Sequence, residues 1–210
     1  MARYKKYFLK ALKNHFPTTE NALMSTLERH YRVISKDTYF AASSSNPIDR
    51  RLDFCAYFLA LIQTLDEKGE SFETIRKISL EVVLEYVKPK NKLSEWAKRI
   101  PLKLLQLSFS SFLLAFFNKK ISKKGNGAGF LAHIITDKKE TYGLGYGIDI
   151  IECGICKLFK KHNFQKYTSI LCEVDEVTSG LAGLKLIRTS TIALGATKCD
   201  FRFVKTNELN

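Results

Sequence analysis

Side chains able to do chemistry gather late in the chain. They are Cys153-Gly-Ile-Cys156, then Cys172-Glu173-Val174-Asp175, then Arg188-Thr189-Ser190-Thr191, then Cys199-Asp200-Phe201-Arg202-Phe203. A thiolate serves as nucleophile or metal ligand, carboxylates take and give protons, and hydroxyls with an arginine hold an anionic substrate. Four cysteines in one stretch invite a zinc site. Zinc ribbons, however, pair two C-x-x-C knuckles, and only one knuckle is present, so no metal is expected. A thioredoxin-like dithiol at Cys153/Cys156 lacks the preceding βαβ pattern, and no other cofactor is called for.

If residues 198–204 are extended, Cys199, Phe201 and Phe203 point one way and Asp200 and Arg202 the other. The plain packing reading makes Cys199 a small core hydrophobe between two phenylalanines and Asp200/Arg202 a surface ion pair.

The stretch Cys172-Glu-Val-Asp175, followed by Arg188-Thr-Ser-Thr-Ile-Ala-Leu-Gly-Ala-Thr-Lys-Cys-Asp-Phe-Arg-Phe203, resembles the C-terminal signature of the L-2-amino-thiazoline-4-carboxylic acid hydrolase family. That signature reads roughly R-T-x-T-[IL]-x-x-G-x-x-x-C-D-F-R-[FY]. Its fixed positions are met by Arg188, Thr189, Thr191, Ile192, Gly195, Cys199, Asp200, Phe201, Arg202 and Phe203. Upstream, a family cysteine opening the preceding helix looks like Cys153, with Cys156 as the departure. The likeness covers about residues 140–205 well and the first half by general layout.

The resemblance implies a hydrolase acting on a non-peptide carbon–nitrogen bond of a small cyclic amidine acid, opening a thiazoline ring at its amidine-like C2 carbon to give an N-carbamoyl amino acid, with a place in a biosynthetic pathway. Under it Cys199 or Cys172 is the nucleophile, or Asp200 or Asp175 is the base for an attacking water. Thr189, Thr191 and backbone N–H groups near Gly195 are the donors for developing negative charge. Arg188 or Arg202 holds the substrate carboxylate, and Cys153 joins the binding residues. None of His15, His30, His133 and His162 falls within the motif.

Stepping outward from these residues, Phe8, Leu9, Leu12 and Phe16 form a helical stripe that Pro17 breaks. Thr18 or Thr19 caps a second helix through Leu23, Leu27, Tyr31 and Ile34. A third follows Ser43-Ser-Ser-Asn-Pro47 with Leu52, Cys55, Phe58, Leu59 and Ile62, and Ser71 caps a fourth with Ile75, Ile78, Leu80, Val82, Val83 and Tyr86. All four read as ordinary amphipathic helices. A fifth, Leu102 to Phe117, is apolar almost all round, too short to cross a bilayer, and reads as buried in a core or a homodimer interface. Lysines to Lys124 also give Leu102 to Lys124 the character of a peripheral, interfacial membrane element.

Beyond Gly125 the period becomes two. Phe130 to Ile135 and Tyr142 to Ile151 form a hairpin whose Gly143, Gly145 and Gly147 leave one face bare for close approach. Cys153 to His162 is a short helix, Leu184 to Thr191 a third strand and Lys198 to Val204 a fourth. The expected fold is α+β: a helical region, 1–124, packed on a region with an antiparallel sheet, 125–210, as one compact unit.

The 34 basic and 21 acidic residues leave a net charge of +13, and 45% of residues are hydrophobic, excluding a disordered or collagen-like chain. The lysine-interrupted start lacks a secretory pattern, and five cysteines suit free thiols in the cytoplasm. Two rival classes remain: a non-catalytic small-ligand module, and a basic adaptor for an anionic surface. Nucleic acid is not expected, because charge is the only supporting signal.

Overall fold

A computed structural model describes residues 4–88, 110–142 and 146–206. Seven α-helices lie among them: α1 (Lys5–His15), α2 (Glu20–Ile34), α3 (Arg51–Glu67), α4 (Phe72–Val87), α5 (Ser110–Ile121), α6 (Gly154–Lys161) and α7 (Thr168–Leu181). The strands are β1 (Leu131–Ile135), β2 (Gly147–Glu152), β3 (Leu184–Ile187) and β4 (Cys199–Lys205), in one antiparallel sheet of order β1-β2-β4-β3. The fold is α+β, as expected. Two compact units divide the chain. One takes residues up to Ser44, Asp49–Tyr86 and Gly154–Val174, and the other Ser45–Ile48, the described part of Val87–Cys153, and residues from Asp175 onward.

In the first unit the helix ends follow local rules. Phe16, forced out of helical geometry by the following proline, stops α1 at φ −138°, ψ 62°. Ser71 Oγ accepts the N–H of Thr74 at 3.2 Å and so caps α4. The third helix departs from expectation. It is buried on nearly every side, from Leu52 through Cys55 to Ile62 and on to Leu65, rather than along one stripe. A helix this apolar all round needs covering on all sides. It receives α2 and α6, and rings from Tyr4, Phe8, Phe54 and Phe58 meet in tilted or edge-on contacts at 4.6–6.1 Å. Ion pairs from Lys161 to Asp37 and from Arg76 to Glu173 tie residues 154–174 to the earlier helices of this unit.

Of the expected fifth helix, residues 102–109 lie outside the described residues. From Ser110 it runs on to Ile121, with Phe112, Phe116 and Phe117 exposed. No described helix is long and apolar enough to cross a membrane.

In the second unit β1 and β2 form the expected hairpin, with Ala132 opposite Ile150 and His133 opposite Asp149. The second strand starts at Gly147, later than Tyr142, and residues 143–145 lie outside the described set. β4 pairs with β2 through Asp149 opposite Asp200 and Ile150 opposite Cys199, and with β3 through Ile187 opposite Arg202. One sheet face therefore carries Ala132, Ile150, Cys199, Phe201 and Phe203, and the other His133, Asp149, Asp200 and Arg202. The third strand stops at Ile187 rather than Thr191, because the backbone N–H groups of Thr189 and Ser190 turn to the Asp200 carboxylate (3.0 and 2.6 Å) instead of a ladder.

Candidate active site

Cys199 sits at the start of β4 on the apolar face, 4% exposed. Its Sγ accepts the backbone N–H of Ile192 at 3.2 Å. That N–H is aimed by a 3-10 turn, Ile192–Leu194, in which Leu194 and Ala196 donate to the Thr191 carbonyl at 2.9 and 3.2 Å. Gly195 closes the turn at φ +93°, where a side chain would be strained. Arg188, just past β3, lays its guanidinium over the Phe201 ring at 5.2 Å and pairs with Asp175 at 3.7 Å and Glu176 at 3.3 Å. Its side chain is 7% exposed, so this charge is held in a largely dry setting.

These neighbours act on the thiol. Burial pushes Cys199 above the usual thiol range, the Ile192 N–H opposes it, and of the charges around it Cys153 and Asp175 push up while Arg188 pulls down. The resting group is therefore a neutral thiol at neutral pH, poised between one nearby carboxylate and one nearby cation.

The opposite face is organised by carboxylates. Asp200 accepts from the Thr189 and Ser190 amides and from Thr189 Oγ1 at 2.5 Å, with Ser190 Oγ 3.0 Å away. Burial raises its pKa, but these donors outweigh it and hold the carboxyl below its ordinary value. With its oxygens engaged this way, Asp200 fixes the loop between β3 and the Ile192 turn. The surface pair expected between Asp200 and Arg202 does not form. Arg202 is buried and gives its guanidinium to Asp149 at 2.8 Å and Glu140 at 3.4 Å. The cause is Gly147: a Cβ there would come within 2.8 Å of Arg202 Cδ, so its absence lets the arginine stem cross β2 to Asp149. Lys198 reaches the same carboxylate at 2.5 Å.

Of the residues singled out by sequence, Cys153, Asp175, Arg188 and Cys199 thus come together in the second unit. Asp200 and Thr189 meet on the other face, Arg202 pairs elsewhere, and Thr191 supplies its carbonyl to the turn. Cys172, on α7, belongs to the first unit. All five cysteines are free thiols. Among the described residues no group of three or more His, Cys, Asp or Glu side chains could hold a metal ion. The Ile192 amide is one of the backbone N–H groups expected near Gly195, whereas sequence reasoning missed Glu176 and the Asp149–Lys198 pair. Strand parity pairs Asp149 with Asp200 only once the register is known.

No curated protein and no solved structure matches the chain. The sequence model of the family described as L-2-amino-thiazoline-4-carboxylic acid hydrolase matches residues 50–203, which takes in α3, strands β1 to β3, β4 as far as Phe203, and the residues described around Cys199. With more than half its length matched, this chain belongs to the L-2-amino-thiazoline-4-carboxylic acid hydrolase family.

Proposed function

We propose that this chain hydrolyses a small cyclic amidine acid of the 2-aminothiazoline-4-carboxylate type, with Cys199 as the nucleophile. The observation that carries the reading is the Cys199 thiol held against the Ile192 N–H with Asp175 and Arg188 acting on it. Arg188 alone leaves the buried thiol neutral, and an amidinium substrate adds a second cation beside it that favours the thiolate.

Sγ bonds to C2 across the carbon–nitrogen double bond, and its proton passes to Asp175. An N-carbamoyl product keeps both carbon–nitrogen bonds of C2, so the ring carbon–sulfur bond breaks in place of the expected carbon–nitrogen bond; the departing sulfur takes that proton, and an isothiouronium joins Cys199 to the opened chain. Water adds at the same carbon: one of its protons returns to Sγ as the carbon–Sγ bond breaks, its oxygen stays as the carbamoyl carbonyl, and the remaining proton, equal to the one the amidinium brought, is released to solvent. The product is the N-carbamoyl amino acid, one water heavier than the substrate. The Ile192 N–H steadies charge on sulfur, and Arg188 is the cation for the substrate carboxylate. Asp200 acts as a positioning residue: it holds the loop that aims the Ile192 amide.

The test is incubation of the protein with L-2-amino-thiazoline-4-carboxylate and mass spectrometry for a gain of one water. Product that disappears in Cys199→Ser, with the melting temperature unchanged within a few degrees, supports the reading. Equal turnover by Cys199→Ser removes the nucleophile role. No product together with a ligand-induced rise in melting temperature would leave a binding module.

A further inference from the structure

The first unit contains a cavity of about 240 Å³ lined by Thr38, Tyr39, Ala41, Ala42, Arg50 and Asp53. Every one of these residues belongs to that unit, whereas Cys199 belongs to the other. The volume falls below the roughly 300–1,000 Å³ of sites for drug-sized ligands, so its occupant is about as large as an amino acid.

The lining carries both signs of charge. Arg50 immediately precedes α3 and Asp53 lies one turn on, so the two sit as neighbours on one helix face. They do not pair with each other, and no ion pair or hydrogen bond joins the exposed Arg50 side chain to another described residue. Asp53 is held in place by Tyr31, which does not line the cavity and donates its hydroxyl to Oδ1 at 2.6 Å. That bond leaves Oδ2 available. Tyr39 is 65% exposed at the rim, a large ring offered to solvent, with Ala41 and Ala42 beside it. An anion alone would meet Asp53, a cation alone would meet Arg50, and an apolar molecule would strip water from both. A molecule bearing adjacent opposite charges satisfies the pair.

We infer that this cavity binds a zwitterionic α-amino acid, its carboxylate on Arg50, its ammonium on Asp53 and its side chain along Tyr39. The inference stands apart from the hydrolase reading.

Calorimetric titration of the full chain with L-phenylalanine tests it, alongside L-phenylalaninol, which lacks the carboxylate, and 3-phenylpropanoate, which lacks the ammonium. L-phenylalanine should bind, and each analogue should bind about tenfold more weakly or worse, because one charge-assisted contact is lost. Arg50→Gln should weaken L-phenylalanine by a similar factor and leave L-phenylalaninol unaffected. Asp53→Asn, which keeps an acceptor for Tyr31, should weaken L-phenylalanine and leave 3-phenylpropanoate unaffected. Cys199→Ser should bind as the native chain does. Absence of L-phenylalanine binding at millimolar concentration, unchanged binding in Arg50→Gln, or binding of inorganic phosphate in its place would overturn the inference.

Discussion

Cys199 and Asp200 are adjacent in sequence yet act on opposite faces of one strand, and their variants should separate. Burial and the charges of Asp175 and Arg188 set the thiol. Removing the cation in Arg188→Gln should move the pH profile of Cys199 alkylation upward, and removing the carboxylate in Asp175→Asn should move it downward. Profiles that coincide with the native one would show that neither charge reaches the sulfur. Asp200→Asn replaces an acceptor of several donors with a group that places an NH2 among them. It should cost on the order of 1–3 kcal/mol in denaturant melts, and it should raise the Cys199 profile as the Ile192 amide loses its aim. Unchanged alkylation would make Asp200 a structural residue only. The motif made both residues legible, and alternation separated their faces. What the sequence withheld was the fold-back of residues 188–191, which takes up the carboxylate and depends on a partner eleven residues away.

At the scale of elements, punctuation was readable and burial was not. Pro17 and Ser71 mark the ends of α1 and α4 because their effects are local. The third helix reads as amphipathic from its period alone, since only the packing of α2 and α6 reveals that its other sides are covered too. The alternating glycines before β2 pointed to close approach, and at Gly147 it occurs: Arg202 and the Phe201 carbonyl occupy the space a methyl would need. Gly147→Ala should therefore destabilise the protein by about 1–3 kcal/mol, as overpacking does. Combining it with Arg202→Ala should recover part of that loss in thermal melts. A Gly147→Ala variant as stable as the native chain would mean that the Arg202 crossing is not tight.

For the molecule as a whole, the division into units escaped sequence reading because it is discontinuous. Residues 154–174 join the N-terminal helices through pairs such as Lys161 with Asp37 and Lys166 and Tyr167 with Asp66, contacts whose partners lie about a hundred positions apart. Four carboxyls report on both units. Burial raises Asp37 and Asp149, but hydrogen bonds from Lys161 and His162, and from Lys198 and Arg202, leave them lowered; Tyr167 lowers Asp66, and loop donors lower Asp200. A depressed folded value means that the unfolded chain takes up protons first. Their stabilisation should thus be complete above about pH 5 and be lost as pH falls below about 4, through the lowered folded values. Denaturant melts from pH 7 to 3 would check this, with Asp149→Asn showing a flatter acid limb and an unaltered limb contradicting it. Bonding of Cys199 to the substrate is tested by quenching turnover of 2-aminothiazoline-4-carboxylate in acid and weighing the intact protein. Covalent catalysis at Cys199 predicts a species heavier by one whole substrate, mapped to Cys199 and absent in Cys199→Ser. Steady product formation with no adduct, or an adduct on another cysteine, would contradict it.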